Sequence, residues 1–331
     1  MPLDAEIAAP AARPAERLYP PSRVILREVG LRDGLQLVKT FPTTAAKRRW
    51  IEIDYAAGVR HFEVGSYLPA DRFPQFVDVD ELVAATAALP GAFSSVLVLN
   101  KRGAERALAG QADEITCVIS ASEEHNLANA RRTRAQSLAE LSDMLAMRAD
   151  SGRRPLISAA IAMSFGCSIS GRVAVDEVVR IAAACAEMGA DLIGLADTVG
   201  YAGPAEIREV VRAVRPVIGD ATLSLHLHDT RGMGIANAAA GLAEGVKMFD
   251  GSLAGLGGCP FAPKATGNVV LEDLVFLCQS MGFEVPIDIE ALLPARAVLA
   301  EAMPDEKLYG ALARAGLPLG FQPAASIRAG Q

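Results

Sequence analysis

Histidine is nearly absent from this chain, with four in 331 residues, and tryptophan occurs once. Cysteine is sparse and odd in number. Cys117, Cys167, Cys185, Cys259 and Cys278 are widely spaced and form no Cys-x-x-Cys pair, which argues against a disulfide framework or a structural zinc site and fits a reducing compartment, the cytoplasm. No apolar run approaches the roughly 18 residues of a membrane helix, so no membrane partner is expected. There is no Lys/Arg block with interleaved aromatics, and 32 basic residues face 39 acidic ones for a net charge of −7; nucleic acid is excluded as the main partner. The one basic cluster, Arg131-Arg132-Thr133-Arg134, reads as the solvated start of a helix. No Gly-x-Gly-x-x-Gly opens a helix after the first strand, so a Rossmann reading loses its main support.

What is present is enough to build a large core: 51% of the residues are apolar and 21% charged, the balance of a globular chain. The first 21 residues are rich in Ala and Pro, with Asp4, Glu6 and Glu16 breaking any basic or apolar character. They read as a loose arm rather than a signal or transit peptide. Short apolar strands then alternate with helical stretches. Strands are expected at Arg23–Val29, His61–Val64, Ser95–Leu99, Glu114–Ile119, Leu156–Ala162, Leu192–Ala196, Leu223–His228 and Met248–Gly251, and the first helix at about Thr44 to Ala57. Eight such units predict an α/β chain folded as a (β/α)8 TIM barrel rather than an open sheet. The expected division is an arm at 1–21, a catalytic barrel at 22–284 and a short C-terminal helical extension and tail at 285–331.

In a barrel of this kind, catalytic groups gather where strands exit into the following loops. That rule selects Arg32-Asp33 after strand one, Glu63 on strand two, Asp197-Thr198 after strand six, and a Gly-rich loop at Gly255–Asn268 after strand eight. Strand seven supplies His226 and His228, two of the four histidines, one residue apart and therefore on one face. A pair of histidines on a strand is often only a core feature. Here, closure of the barrel would bring Asp33 and the amide oxygen of Asn268 toward them. A set of two nitrogens and two oxygens with open positions suits Mg²⁺ or Mn²⁺, with Co²⁺ or Zn²⁺ as alternatives, acting on a chelating substrate.

Three stretches, Gly30-Leu31-Arg32-Asp33-Gly34-Leu35-Gln36, His226-Leu227-His228-Asp229-Thr230, and Ala254-Gly255-Leu256-Gly257-Gly258-Cys259-Pro260-Phe261-Ala262 with Gly267-Asn268, resemble the 3-hydroxy-3-methylglutaryl-CoA lyase family of the metallolyase barrels. The similarity runs from about Val24 to about Gly282. The cysteine loop selects lyase over the related synthases, which carry a Gly-Glu-Arg-Ala-Gly-Asn type of loop there. The resemblance implies an acyl-CoA substrate cleaved by a metal-dependent retro-Claisen reaction to acetyl-CoA and a keto acid (acetoacetate), in a homodimer or larger homo-oligomer. It implies Asp33, His226, His228 and Asn268 as metal ligands, Arg32 facing the thioester oxygen, and Cys259 as general acid/base. Glu63 and Asp197 would handle protons or orient Arg32, and Gln36, Ser66 and Thr198 would contact substrate. The chain departs from the family pattern at Ser66-Tyr67-Leu68-Pro69-Ala70-Asp71-Arg72, Leu37, Val38, Lys264 and Thr266. These changes fall on the expected acyl walls, so a lyase for citramalyl-CoA or a longer 3-hydroxy-acyl-CoA is the runner-up. An aldolase or synthase on the same barrel follows; a catalytically dead metal-binding barrel is disfavoured because the metal set, Arg32 and Cys259 are all present.

Overall fold

The computed structural model describes residues 14–258 and 267–323. Eight parallel strands close in sequence order into a barrel: β1 (Ile25–Glu28), β2 (His61–Ser66), β3 (Phe93–Val98), β4 (Glu114–Ser120), β5 (Leu156–Ala162), β6 (Leu192–Asp197), β7 (Thr222–Leu227) and β8 (Met248–Gly251). Each is followed by at least one helix of an outer ring. Local sequence starts several of these helices. Thr43, Asn100 and Ser122 accept hydrogen bonds from backbone N–H groups of the first turn, and Thr133 with Gln136 forms a reciprocal capping box. The helix Val175–Glu187 then buries Val178, Ile181, Ala182 and Cys185, the stripe that its three- and four-residue spacing dictates. Past β8 the chain adds the short helices Ile289–Leu292, Ala295–Ala302 and Ala311–Ala315.

Several strand limits move by one or two residues from the sequence reading. The informative shift is in β7, which ends at Leu227 because His228 leaves the ladder and pairs with Asn268 in an antiparallel bridge. A second difference is a correction. The arm expected to be loose at 1–21 is ordered over its described part: Pro14–Leu18 is helical, and Ala15 and Tyr19 are buried against Leu156, Leu192 and Met248. The open lower end of the barrel presents apolar side chains that water would otherwise cover, and these residues close it. Residues 1–13 of the arm lie outside the described residues. In the cluster Arg131–Arg134, Arg132 is paired with Glu140 and Arg134 with Glu123 and Glu177.

Between β1 and the helices Thr44–Ala56 and Leu271–Ser280, Glu28, Asp54 and Glu272 are buried beside Trp50. Glu28 accepts from the N–H groups of Gly30 and Leu253, and Glu272 from Ala254 N–H and Arg296. Asp54 has the Trp50 indole as its polar neighbour and, among the described residues, no cation to balance it. Burial, reinforced by the charges of Glu28 and Glu272, holds its pKa well above the usual carboxylate range, so the folded protein keeps this proton. A raised native pKa gives stability that is complete below the unfolded value of about 3.9 and is lost as pH rises toward the native value. Asp54→Asn removes that titration. Urea melts should show the variant gaining on the wild type as pH rises above the unfolded value, by up to about 1.4 kcal/mol per pH unit. Identical pH slopes for the two proteins would mean that Asp54 is ionised in the fold.

Candidate active site

The site begins where β1 ends. Gly30–Gly34 forms one π-helical turn in which the N–H groups of Asp33 and Gly34 both reach the Val29 carbonyl. A methyl at Gly30 would stand 2.5 Å from Glu28 Oε1 and 2.6 Å from the Trp50 ring, so only glycine admits the turn. The turn projects Arg32 and Asp33 over the strand ends. His226 Nε2 and His228 Nε2 approach to 3.1 Å, and Asp33 Oδ2 lies 3.6 Å from His228 Nε2 and 4.0 Å from His226 Nε2. Asn268 Nδ2 donates to the same Asp33 oxygen at 2.7 Å and to the Leu256 carbonyl at 2.9 Å. Gly257 fits against that amide only because it lacks a Cβ, which would sit 2.5 Å from Asn268 Nδ2. The two ends of the cysteine loop thus close on Asn268 and Asp33. Cys259 itself, with Lys264 and Thr266, lies outside the described residues.

These donors fit a divalent cation. Asp33, His226 and His228 place one ligand atom each within 4.8 Å of one another. Asn268 Oδ1 is a buried acceptor without a partner among the described residues, and half a turn of the amide would exchange it with Nδ2 beside Asp33. Burial pushes the His228 pKa down to about 4, keeping a neutral imidazole with a lone pair to give. Burial alone would raise Asp33, but Arg32 first, then the two histidines and Asn268, hold it at about 2. The lumen charges point the same way. Arg27 and Arg32 are bonded to Asp33, Glu63, Glu114 and Asp250, so carboxyl groups outnumber arginines beside the cluster, a setting that favours a cation.

Arg32 is held on three sides, its Nε donating to Glu63 at 2.7 Å and its Nη1 to Asp33 at 2.6 Å and to Gln36 Oε1 at 3.2 Å. Burial raises the Glu63 pKa against the opposing pull of Arg32. The remaining expected residues are engaged with backbone. Asp197 accepts from the N–H groups of Tyr201 and Ala202, and burial pushes its pKa up to about 6. Thr198 Oγ1 accepts from Met163 N–H, and Ser66 Oγ donates to the Leu97 carbonyl. Tyr67 points away from the rim: its hydroxyl donates to Asp80, and Arg106 lies over its ring at 4.8 Å.

Sequence reasoning missed Asp250, which meets His226 Nδ1 at 3.0 Å, and Arg27 and Glu114 beneath it. Each is a charged residue buried on a barrel strand. Strand register was the missing piece, since Asp250 lies opposite both Arg27 and His226.

A closed parallel barrel with an Asp–His–His cluster and a clamped arginine at its C-terminal rim defines a class of metal-dependent barrel enzymes. Within it, this chain belongs to the HMGL-like family, whose model matches residues 23–299, and it is a carbon–carbon lyase. It is 34% identical over 285 residues to a hydroxymethylglutaryl-CoA lyase of Bacillus subtilis, covering 86% of this chain and 94% of that protein. It is 38% identical over 283 residues to an (R)-citramalyl-CoA lyase of Chloroflexus aurantiacus, covering 82% of this chain and 88% of the relative. A solved HMG-CoA lyase of Acinetobacter baumannii in complex with coenzyme A and 3-methylmalate superimposes with a TM-score of 0.84 at 34% identity, over 92% of this chain and 98% of that one. Among the described residues no helix is long and apolar enough to cross a membrane.

Chelation should abolish activity reversibly, and Asp33→Ala or His228→Ala should lower turnover by at least about 10³, since metal charge stabilisation is worth several kcal/mol. Steady-state assays on metal-stripped and reconstituted protein check this; full activity of the stripped protein would remove the metal from the reaction.

Proposed function

We propose that the chain cleaves 3-hydroxy-3-methylglutaryl-CoA, or a close 3-hydroxy-acyl thioester, to acetyl-CoA and a keto acid, which is acetoacetate for the methylglutaryl compound. The convergence of Asp33, His226, His228 and Asn268 beside a clamped Arg32, on a barrel of the HMGL-like family, carries this reading. In a retro-Claisen cleavage the C3 hydroxyl gives its proton to a base and the C2–C3 bond breaks. Its electron pair enters the thioester enolate, the C3 oxygen becomes the ketone, and C2 then takes a proton. A divalent ion, Mg²⁺ or Mn²⁺ before Co²⁺ or Zn²⁺, would when bound lower the hydroxyl pKa and orient the substrate oxygens.

The chain's own residues divide the rest. Arg32 sets a fixed guanidinium against the thioester oxygen where enolate charge develops. Glu63, buried and anchored to Arg32, is the carboxylate that can hold the hydroxyl proton. Asp197 acts as a positioning residue, because its oxygens already fix the loop after β6 that carries Thr198. Thr198 keeps its hydroxyl proton to donate, while Gln36 orients Arg32 from the substrate side. Cys259 protonates C2; the glycines at the base of its loop, bound against Asn268, support delivery of the thiol to the site. The four described cysteines are free thiols, which suits the cytoplasm, and a homodimer or larger assembly of the 22–284 barrel with its C-terminal extension completes the reading.

Cys259→Ser keeps the size and supplies a far weaker acid. Acetyl-CoA release should fall by about 10²–10⁴-fold with metal stoichiometry unchanged; a loss smaller than about threefold would reduce Cys259 to packing.

The identity to the citramalyl-CoA lyase favours a second reading, in which the substrate is one methylene shorter. One methylene in a pocket discriminates by only about 10–200-fold, so kcat/KM for the two thioesters should lie within about 10³ of each other, with the methylglutaryl compound ahead. A reversed order transfers the assignment to citramalyl-CoA.

A further inference from the structure

Arg27 lies across the barrel lumen beneath the metal cluster. Its Nε and Nη2 donate to the two oxygens of Asp250, at 2.8 and 3.2 Å, and its Nη1 donates to Glu114 Oε1 at 2.9 Å. The other Glu114 oxygen accepts from the Tyr19 hydroxyl, and Asp250 Oδ2 meets His226 Nδ1 at 3.0 Å. Hydrogen bonds therefore run unbroken from Tyr19, on the N-terminal segment, to an imidazole of the metal set. Tyr19, Arg27, Glu114 and Asp250 are each no more than 6% exposed, so none can exchange its partner for water unless the floor opens.

We infer that Asp250, Arg27, Glu114 and Tyr19 are positioning residues for the metal site, and that the N-terminal segment, by seating Tyr19 in the barrel floor, fixes how His226 presents its nitrogen. This rests on the reading of His226 as a ligand. A carboxylate on Nδ1 selects the tautomer whose Nε2 lone pair faces the cluster, and it strengthens that donor. Asp250 can do so only if it does not rotate, and the two bonds from Arg27 prevent rotation. Arg27 is in turn held from its far end by Glu114, whose second oxygen would be an unmatched buried acceptor without Tyr19. The segment is locked in place by its neighbours. His61 Nε2 lies 2.9 Å from the Leu18 carbonyl, and its ring packs between Tyr19 and Phe93 at 5.2 and 5.1 Å. Burial keeps the His61 pKa near 4, so it adds no competing cation to the floor.

The test measures Mn²⁺ binding to the full-length, substrate-free protein by calorimetry. Asp250→Asn should weaken Mn²⁺ by about 10–100-fold, as losing a carboxylate behind a ligating histidine does. Tyr19→Phe, which removes a single oxygen, should weaken it by about three- to tenfold. Because both act through one chain of bonds, the double variant should bind within about twofold of Asp250→Asn alone rather than at the product of the two losses. Wild-type affinity in Tyr19→Phe, with or without a lower melting temperature, overturns the inference, as does a multiplicative double variant. If Asp250→Asn does not fold, the Tyr19→Phe titration decides alone. Asp33→Ala separates the two levels. Loss of Mn²⁺ there with wild-type binding in Tyr19→Phe and Asp250→Asn sinks only the positioning network, whereas retention of Mn²⁺ by Asp33→Ala sinks the metal reading and this inference with it.

Discussion

The barrel lumen is organised by buried charge. Most barrels of this topology fill the interior with layers of aliphatic side chains; here Arg27 stands inside and Arg32 at the rim, each joined to two carboxylates. Moving such ions out of water costs several kcal/mol apiece unless geometry and counter-charge repay it. Every lumen arginine is accordingly met by a carboxylate within 3 Å, and every such carboxylate by an arginine, an amide, a hydroxyl or an imidazole. The candidate metal ligands Asp33 and His226, with Arg32 and Glu63, all belong to this set of contacts.

The network is rigid because its members sit on strands or on turns that admit a single residue type. Gly30 lets the β1 exit fold back against Trp50 and Glu28, and this aims Arg32 and Asp33 over the rim. Gly257 lets the base of the cysteine loop lie against Asn268. Glu28 and Glu272 hold the start of the same region from behind through the N–H groups of Leu253 and Ala254, the latter at a residue with a left-handed backbone, φ 59°. Two loops far apart in sequence are thus braced by carboxylates that never reach the lumen.

In the proposed reading, chemistry and acyl selectivity occupy different parts of the molecule. The groups that would stabilise the enolate and hold the ion are fixed by the barrel. Selectivity falls to the loops above it, and there the departures from the family pattern do not all matter. Tyr67 is turned outward between two helices and cannot touch an acyl chain, while exposed Leu37 remains beside the loop glycine Gly258.

The sequence by itself determined the eightfold alternation of strands and helices, and with it the barrel. Apolar period and helix caps are local signals that survive any arrangement in space. It also determined the sites where polar groups cluster, because strand exits in a parallel barrel share one rim. Asp33, His226, His228 and Asn268 could be named together on that ground. Only the tertiary structure decided what lies beneath them. Arg27, Glu114 and Asp250 are adjacent through strand register, and Tyr19 reaches them because the barrel floor is apolar and open. The same holds for Asp197 and Thr198, whose hydrogen bonds to loop backbone depend on how the turns close, and for Ser66, which meets the Leu97 carbonyl on the neighbouring strand. Spacing along a chain encodes which face a residue takes, whereas the partner it meets across a closed sheet is set by packing.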